Sequence, residues 1–460
     1  MSILMHKLVT VPACALSCAV AFTAACDGNS TPPEHAGRAI VTIDTLARFQ
    51  TMSGWEATAQ AGQADPRFEE FKNPLFDQAA NALGINRLRL EIVAGAENPV
   101  DYTVSKATTR RCARWLTVND NDNPQVINPA GFHFSVLDST VVRVVLPMKQ
   151  RLEARGERLF VSLNYVAFLR QCPPPVYVHA QPAEYAEFIL ATFLHLRDRF
   201  GFVPDAVEII LEPDNVAVWS GGALIGQAIV ATADRLAEAG FRPIFVAPST
   251  KVLSRGIEYL DEIYRVPGVQ SFLKELSYHR YGGASEADLA LIAQRARSAG
   301  ARTAMLEHIG SDVEDLYADL TVGQVSAWQQ YTLAFPTEDN GAQLFRIVDG
   351  RPVVGSRTRY LRQYFHYVRM GAQRLGAQSA SSNVRAVAFD NADKNLVVVL
   401  HADRPGRVEV RGLRPGRYGA SATTRSVTWA ELGTQVIEGG GALTVTIPAA
   451  GVVTVYGAKP

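Results

Sequence analysis

The chain has 460 residues, 45 Lys+Arg against 45 Asp+Glu, a formal net charge of +0, 47% hydrophobic and 20% charged residues. Zero net charge argues against a nucleic-acid-binding face or a polybasic membrane-surface protein, and the apolar fraction excludes wholesale disorder. Five cysteines exclude a disulfide-framework miniprotein, and the length fits two or three domains or one large barrel with an accessory domain.

Residues 1–25 read as a secretory signal peptide. Lys7 gives a basic start, and Leu8 to Ala25 is almost entirely apolar or small. A membrane-anchor helix is the other reading, and Pro12 with the small-residue ending favours the signal. Thr23-Ala24-Ala25-Cys26 resembles a bacterial lipoprotein box, in which Cys26 is lipidated and becomes the new N-terminus. Ordinary cleavage nearby is the alternative. Residues 26–38 are a polar, proline-containing tether. The chain is therefore expected to be exported: periplasmic, secreted, or a cell-envelope lipoprotein. Beyond the tether only Cys112 and Cys172 remain, and an oxidising compartment predicts that they pair. Two buried thiols are the alternative.

The alternating run Ile40-Val41-Thr42-Ile43 predicts a strand over 39–49. From 50 to 372 short apolar runs alternate with amphipathic helical stretches. Predicted strands are Met52–Ala57, Asn86–Ile92, Leu159–Asn164, Val207–Glu212, Ile244–Ala247, Glu275–His279, Thr303–Glu307 and Val325–Tyr331. One helix has Pro182 at its start, a stripe of Tyr185, Phe188, Ile189, Phe193, Leu196 and Phe200, and Gly201 just past its end. This pattern predicts an α/β fold, a (β/α)8 TIM barrel, with a doubly wound open sheet as the alternative. Residues 373–460 change texture. Val384–Phe389, Leu396–Ala402, Val408–Arg411, Leu443–Ile447 and Val452–Tyr456 are β-rich and separated by turn residues. They predict a C-terminal antiparallel β-sandwich side domain, to which the 39–49 strand is added. The long loop after the second strand contains Asn119-Asp120-Asn121-Asp122-Asn123 and Cys112. In a barrel it falls at the face where active sites form, and so does the loop that carries Cys172.

Glu212 and Glu307 each end a predicted strand. Alternation puts Glu208, Ile210 and Glu212 on one face, and Thr303, Met305 and Glu307 on one face. Two glutamates projecting into the mouth of a barrel suit glycoside cleavage, which needs one carboxylic acid and one carboxylate about 5–5.5 Å apart for retention. Arg89, with Arg87 and Glu91 on the presumed inward face, supplies a cation for the ionised partner. His279 and Tyr281 end the neighbouring strand, and the phenol can donate to a carboxylate. Structural ion pairs are the competing reading, and Glu91, Glu97, Asp214 and Asp312 are rival carboxylates near the same face. No HExxH, paired CxxC, Walker A loop or GxSxG elbow occurs, so neither a metal nor a cofactor is expected.

Taken together, these residues resemble the clan A retaining glycoside hydrolases and, more specifically, glycoside hydrolase family 30. Gln50-Thr51-Met52-Ser53-Gly54-Trp55, Arg87-Leu88-Arg89-Leu90, Glu212-Pro213, His279-Arg280-Tyr281, Glu307 and the run from Tyr360 to Ala377 are similar to that family's motifs in order and spacing. The resemblance implies a barrel fused to a β-sandwich and retaining hydrolysis of β-linked glycosides. It makes Glu212 the general acid/base and Glu307 the nucleophile, with Arg89, His279 and Tyr281 in support. It implies sugar contacts at Asn164 and Tyr165. Trp55, Trp219 and Trp328 become stacking platforms, with core packing as their alternative. The expected partner is a polysaccharide or glycoconjugate, bound by a monomer that contacts membrane only through a lipid anchor and binds no nucleic acid. One departure stands out: Leu211 occupies the place where the clan carries Asn before the acid/base. A carbohydrate-binding protein with impaired catalysis is therefore the second functional reading, and a structural envelope lipoprotein the third.

Overall fold

The computed structural model describes residues 38–104, 112–168, 177–335 and 338–458. The signal, most of the tether with Cys26, and Cys172 lie outside them. Cys112 is disulfide-bonded.

Strand β1 (Ala39–Thr51) is the first element among the described residues. The next eight are β2 (Gly54–Ala61), β3 (Arg87–Val93), β4 (Phe160–Val166), β5 (Ala206–Glu208), β6 (Ile244–Thr250), β7 (Leu273–His279), β8 (Arg302–Glu307) and β9 (Val325–Ala334). They pair in parallel in chain order, and β9 closes on β2 as well as on β8. This is the predicted (β/α)8 barrel; the closing pair rules out the open sheet. The helix at Pro182 runs Pro182–Phe200 and ends on Gly201 at φ 71, as its sequence predicts. Among the described residues no helix is long and apolar enough to cross a membrane.

A hairpin missed by the sequence reading, β10 (Gln343–Val348) and β11 (Arg351–Val354), extends the barrel sheet beside β9. The remaining strands are β12 (Gln373–Ser379), β13 (Val384–Asp390), β14 (Leu396–Ala402), β15 (Gly406–Arg411), β16 (Gly416–Thr424), β17 (Ala430–Ile437), β18 (Leu443–Ile447) and β19 (Gly451–Gly457). With β1 they form one continuous nine-stranded sheet, mostly antiparallel, in which β1 and β15 pair in parallel. The sheet curls until its two edge strands meet, Gln435 Nε2 donating to Thr444 O at 2.7 Å. Its own apolar core includes Val41, Val398, Val410, Ala422, Val445 and Val453.

The barrel lumen is charged rather than apolar at its centre. Arg87 on β3 reaches across to Glu275 on β7 with two bonds, 3.1 and 2.7 Å, and donates Nε to Glu56 on β2 at 2.5 Å. A smaller apolar cluster of Phe160, Ala206, Val246, Ala304, Leu306 and Ala327 lines the same interior. Alternation therefore sends Arg87, Arg89 and Glu91 inward, and Leu88 and Leu90 outward beneath the helices.

Candidate active site

Two local devices set the direction of the paired glutamates, and neither is plain alternation. The first is a bulge at the end of β8. Tyr278 pairs with Met305 and His279 with Glu307, so one step on β7 faces two on β8. Ala304 and Leu306 line the lumen, whereas Met305 joins the core under the helices. The expected shared face of Thr303, Met305 and Glu307 is thus corrected: the extra residue swings Glu307 to the mouth. The second device follows β5, which pairs only through Glu208. Leu211 N and Glu212 N then bond Tyr165 O at 3.0 Å and Ser249 O at 3.1 Å, which pins the chain between β4 and β6. Glu212 itself is not in a strand. It adopts the left-handed conformation at φ 46, ψ 64, directly before Pro213, a strained backbone of the kind that clusters at functional sites.

These devices bring Glu212, Glu307 and His279 together. One carboxylate oxygen of each glutamate and a ring nitrogen of His279 lie within 4.8 Å of one another. Glu307 is held at both oxygens: Arg89 Nη1 donates to Oε2 at 2.7 Å and the Tyr281 hydroxyl to Oε1 at 2.9 Å. Arg89 is itself fixed by Glu208, which accepts from Nε at 2.7 Å and Nη2 at 2.5 Å. Burial lowers the Arg89 pKa and these carboxylates more than reverse it, so the guanidinium stays charged. Tyr281 is kept protonated by burial and by the adjacent Glu307.

Glu212 has a different environment. Its Oε1 lies 3.2 Å from His279 Nδ1, and Asn215 Nδ2 donates to Oε2 at 3.1 Å. Arg89 Nη2, which can only donate, stands 3.5 Å from His279 Nε2. Nε2 therefore accepts, and the ring proton sits on Nδ1, facing Glu212. Burial raises the Glu212 pKa, but His279, Asn215 and Lys251 outweigh it and the net shift is downward. The trio has the spacing of metal ligands. Arg89, in contact with both Glu307 and His279, already provides the positive charge there.

The other predicted residues divide. Asn164 is fully buried on the lumen side of β4, and its amide oxygen and nitrogen both lack a partner. Tyr165 points the opposite way, bonding Tyr177 and His179 in the outer core. Trp55 and Trp328 are fully buried on the outer face: Trp55 stacks on Phe365, and the Trp328 indole donates to Asp319. Trp219 is buried against Tyr165 and Tyr185. These four are corrections: a ring with no exposed face cannot stack on a sugar. Among the rivals, Asp214 and Asp312 accept from backbone N–H groups and Glu97 pairs with His179. Glu91 stays near Arg89, and burial pushes its carboxyl up. Glu208 and Asn215 were missed as site residues; Glu208's shared parity with Glu212 was the available signal. A cavity of about 750 Å³ opens at the opposite end of the barrel, beside Ser53, Phe160, Arg302 and Ser326, away from the pair.

No family model and no curated protein matches the sequence. Solved structures do match the fold. The catalytic domain of a GH30 xylanase C from Talaromyces cellulolyticus is 14% identical, with a TM-score of 0.66 over 91% of this chain and 100% of that one. A GH30 endoxylanase from Clostridium papyrosolvens C71 is 17% identical, with a TM-score of 0.67 over 91% and 100%. An endo-β1,6-glucanase is 14% identical, with a TM-score of 0.65 over 94% and 96%. The fold is that of the family 30 glycoside hydrolases, as the sequence motifs implied.

Proposed function

We propose that this chain, folded as family 30 enzymes are, is a β-glycosidase that retains configuration, with Glu307 as nucleophile and Glu212 as acid/base. The observation that carries this reading is the 4.8 Å envelope around the two carboxylates and His279. It matches the short separation of retaining enzymes, about 5–5.5 Å, rather than the roughly 6.5–9.5 Å that leaves room for an inverting water. Glu307 attacks the anomeric carbon as the glycosidic bond breaks, and Glu212 gives its proton to the departing oxygen. Water then attacks the same carbon, Glu212 takes the water's proton, and Glu307 is released. Arg89 and Tyr281 hold Glu307 in position. The His279 bond favours ionised Glu212, the form that the second step uses, so the first step draws on the protonated fraction.

The test is turnover of a panel of aryl β-glycosides and β-linked oligosaccharides, with the product anomer read by NMR. Glu307→Ala is expected to abolish turnover. Glu212→Ala is expected to spare activated aryl substrates, with azide restoring rate. A first product of inverted configuration sinks the assignment. Because the resting pKa of Glu212 is lowered, kcat/KM on unactivated oligosaccharides is expected to rise as pH falls below neutral, towards the ordinary carboxylate range, whereas activated aryl substrates lack this dependence.

The second reading, a catalytically impaired glycan-binding protein, is favoured by one observation. Leu211 is packed in the core where clan A carries Asn. Absence of turnover on every substrate, with glycan binding intact in Glu307→Gln, decides for the second reading. We also propose export, with Cys26 as the lipidated N-terminus of the mature chain; mass spectrometry of the native N-terminus checks it.

A further inference from the structure

Of the two groups that hold Glu307, Tyr281 is the less firmly built. Arg89 lies within β3 and is fixed twice by Glu208, whereas Tyr281 lies two residues past the end of β7 and is only half-buried. Its hydroxyl is aimed from the segment that follows the nucleophile. The Ile309 N–H donates to that hydroxyl. An N–H can only donate, so the hydroxyl accepts there and directs its one proton to Glu307 Oε1, 2.9 Å away. The His308 ring packs edge-on against the phenol, with 5.3 Å between centroids.

Residues 308–311 form a turn. Ser311 N bonds His308 O at 3.2 Å, and Gly310 has φ 95, in the left-handed region that favours glycine. Gln330 on β9 grips both ends of it. Its backbone O accepts from His308 N at 2.8 Å, and its Nε2 donates to Ser311 O at 2.6 Å. Within the turn His308 Nδ1 and Ser311 Oγ lie 2.7 Å apart. A bulge puts Gln330 in this place: Glu56 pairs with Gln329 and Thr58 with Thr332, so β9 has one residue more than β2 at Gln330-Tyr331. Gln330 is 1% exposed, and its Oε1 is buried without a partner. A buried amide with an idle oxygen is costly, and an apolar side chain of the same size avoids that cost. The bond from its nitrogen to the turn is what the amide contributes. On the far side Gly310 N bonds Gly341 O at 3.4 Å, and a Cβ on Gly341 would stand 2.6 Å from Gly310 Cα.

We propose that Gln330 is a positioning residue for the nucleophile. It locks the 308–311 turn, the turn fixes the Ile309 N–H, and that donor turns the Tyr281 phenol onto Glu307. Gln330 has this role only if Glu307 is the nucleophile, as proposed above. Glu307 left with Arg89 alone keeps its charge partner but loses its aim at the anomeric carbon, so the loss falls on turnover rather than on substrate binding.

The test measures kcat and KM of the full chain on the aryl β-glycoside that wild type turns over fastest. The proteins are wild type, Gln330→Met, Tyr281→Phe and the double variant, with Glu307→Ala as control. Methionine keeps the length and volume of the side chain and removes its donor. Gln330→Met is expected to lower kcat about tenfold, the low end for one hydrogen bond to a charged group, with KM changed by less than about twofold. In the Tyr281→Phe background the same substitution should cost less than about twofold, because the phenol it acts through is gone. Gly341→Ala presses the same turn from the other side and makes the same test if Gln330→Met does not fold. A kcat within about twofold of wild type overturns the proposal, as do losses that multiply in the double variant, the outcome of a general loosening of the barrel. Turnover that survives Glu307→Ala, or no wild-type turnover at all, sinks the nucleophile assignment itself and takes the role of Gln330 with it.

Discussion

Arg89 serves two carboxylates with one rigid fork. Glu208 takes Nε and Nη2, which leaves Nη1 aimed at Glu307. Glu208 is thus a positioning residue. Glu208→Gln keeps the volume but loses the ion pair. It is expected to lower kcat with KM little changed, and to cost about 3–5 kcal/mol in denaturant unfolding, the range for breaking a buried pair. An unchanged kcat would remove Glu208 from that role. Glu212 makes a second prediction at this scale. At φ 46 a side chain is strained and glycine is not. Glu212→Gly is therefore expected to be more stable than Glu212→Ala by about 1 kcal/mol, the reverse of the usual order. Thermal melts of the pair decide it, and Ala equal to or above Gly would show that this backbone carries no strain.

Among the elements, the ends of β3, β5, β7 and β8 converge on one mouth because charged side chains bridge the lumen. The Arg87 network shows how unequal sharing divides its two carboxylates. Glu275 receives two Arg87 bonds and Arg302 Nε at 2.8 Å; Glu56 receives Nε of Arg87 alone. Burial raises both pKa values. For Glu275 the two arginines reverse this and pull it down to about 2, whereas Glu56 stays raised. A depressed folded value adds stability above the unfolded value and loses it as pH falls. Glu275 is thus expected to contribute about 3 kcal/mol at neutral pH, lost between about pH 4.5 and 2. Glu275→Gln should flatten that acid limb and lower neutral stability, whereas Glu56→Gln should change neutral stability by less than about 1 kcal/mol. Urea midpoints across pH check both; equal losses would refute the unequal sharing. The β10–β11 hairpin was also readable: Asp349-Gly350 joins Val348 to Arg351 with both φ values positive, 49 and 72. This is the two-residue turn that an Asp-Gly pair between apolar runs announces.

For the whole molecule, barrel and curled sheet share polar contacts that neither can satisfy alone. The helix Thr358–Phe365 supplies them. Gln363 bonds Thr423 and Thr454 at 2.8 Å each, and the Tyr364 hydroxyl lies 2.8 Å from His401 Nε2. Buried groups left unpaired by separation cost about 1–3 kcal/mol each, so the two parts are expected to unfold together. Calorimetry should give one endotherm for wild type and a lower midpoint for Gln363→Ala; two resolved endotherms in wild type would contradict a shared core.

The sequence by itself determined the eight barrel strands, most strands of the side sheet, the helix at Pro182 and the Glu–Arg–His–Tyr residues of the mouth. Apolar periodicity, proline and glycine punctuation and motif order are local signals that survive in one dimension. Only the tertiary structure decided which way the glutamates face. A one-residue bulge at Leu306 overturns the alternation expected on β8, a left-handed turn at Glu212 replaces the expected strand end, and both depend on pairing partners far away in the chain. It also decided that Trp55, Trp219, Trp328 and Tyr165 are core, because burial is set by what packs on a side chain, which its neighbours in sequence do not specify.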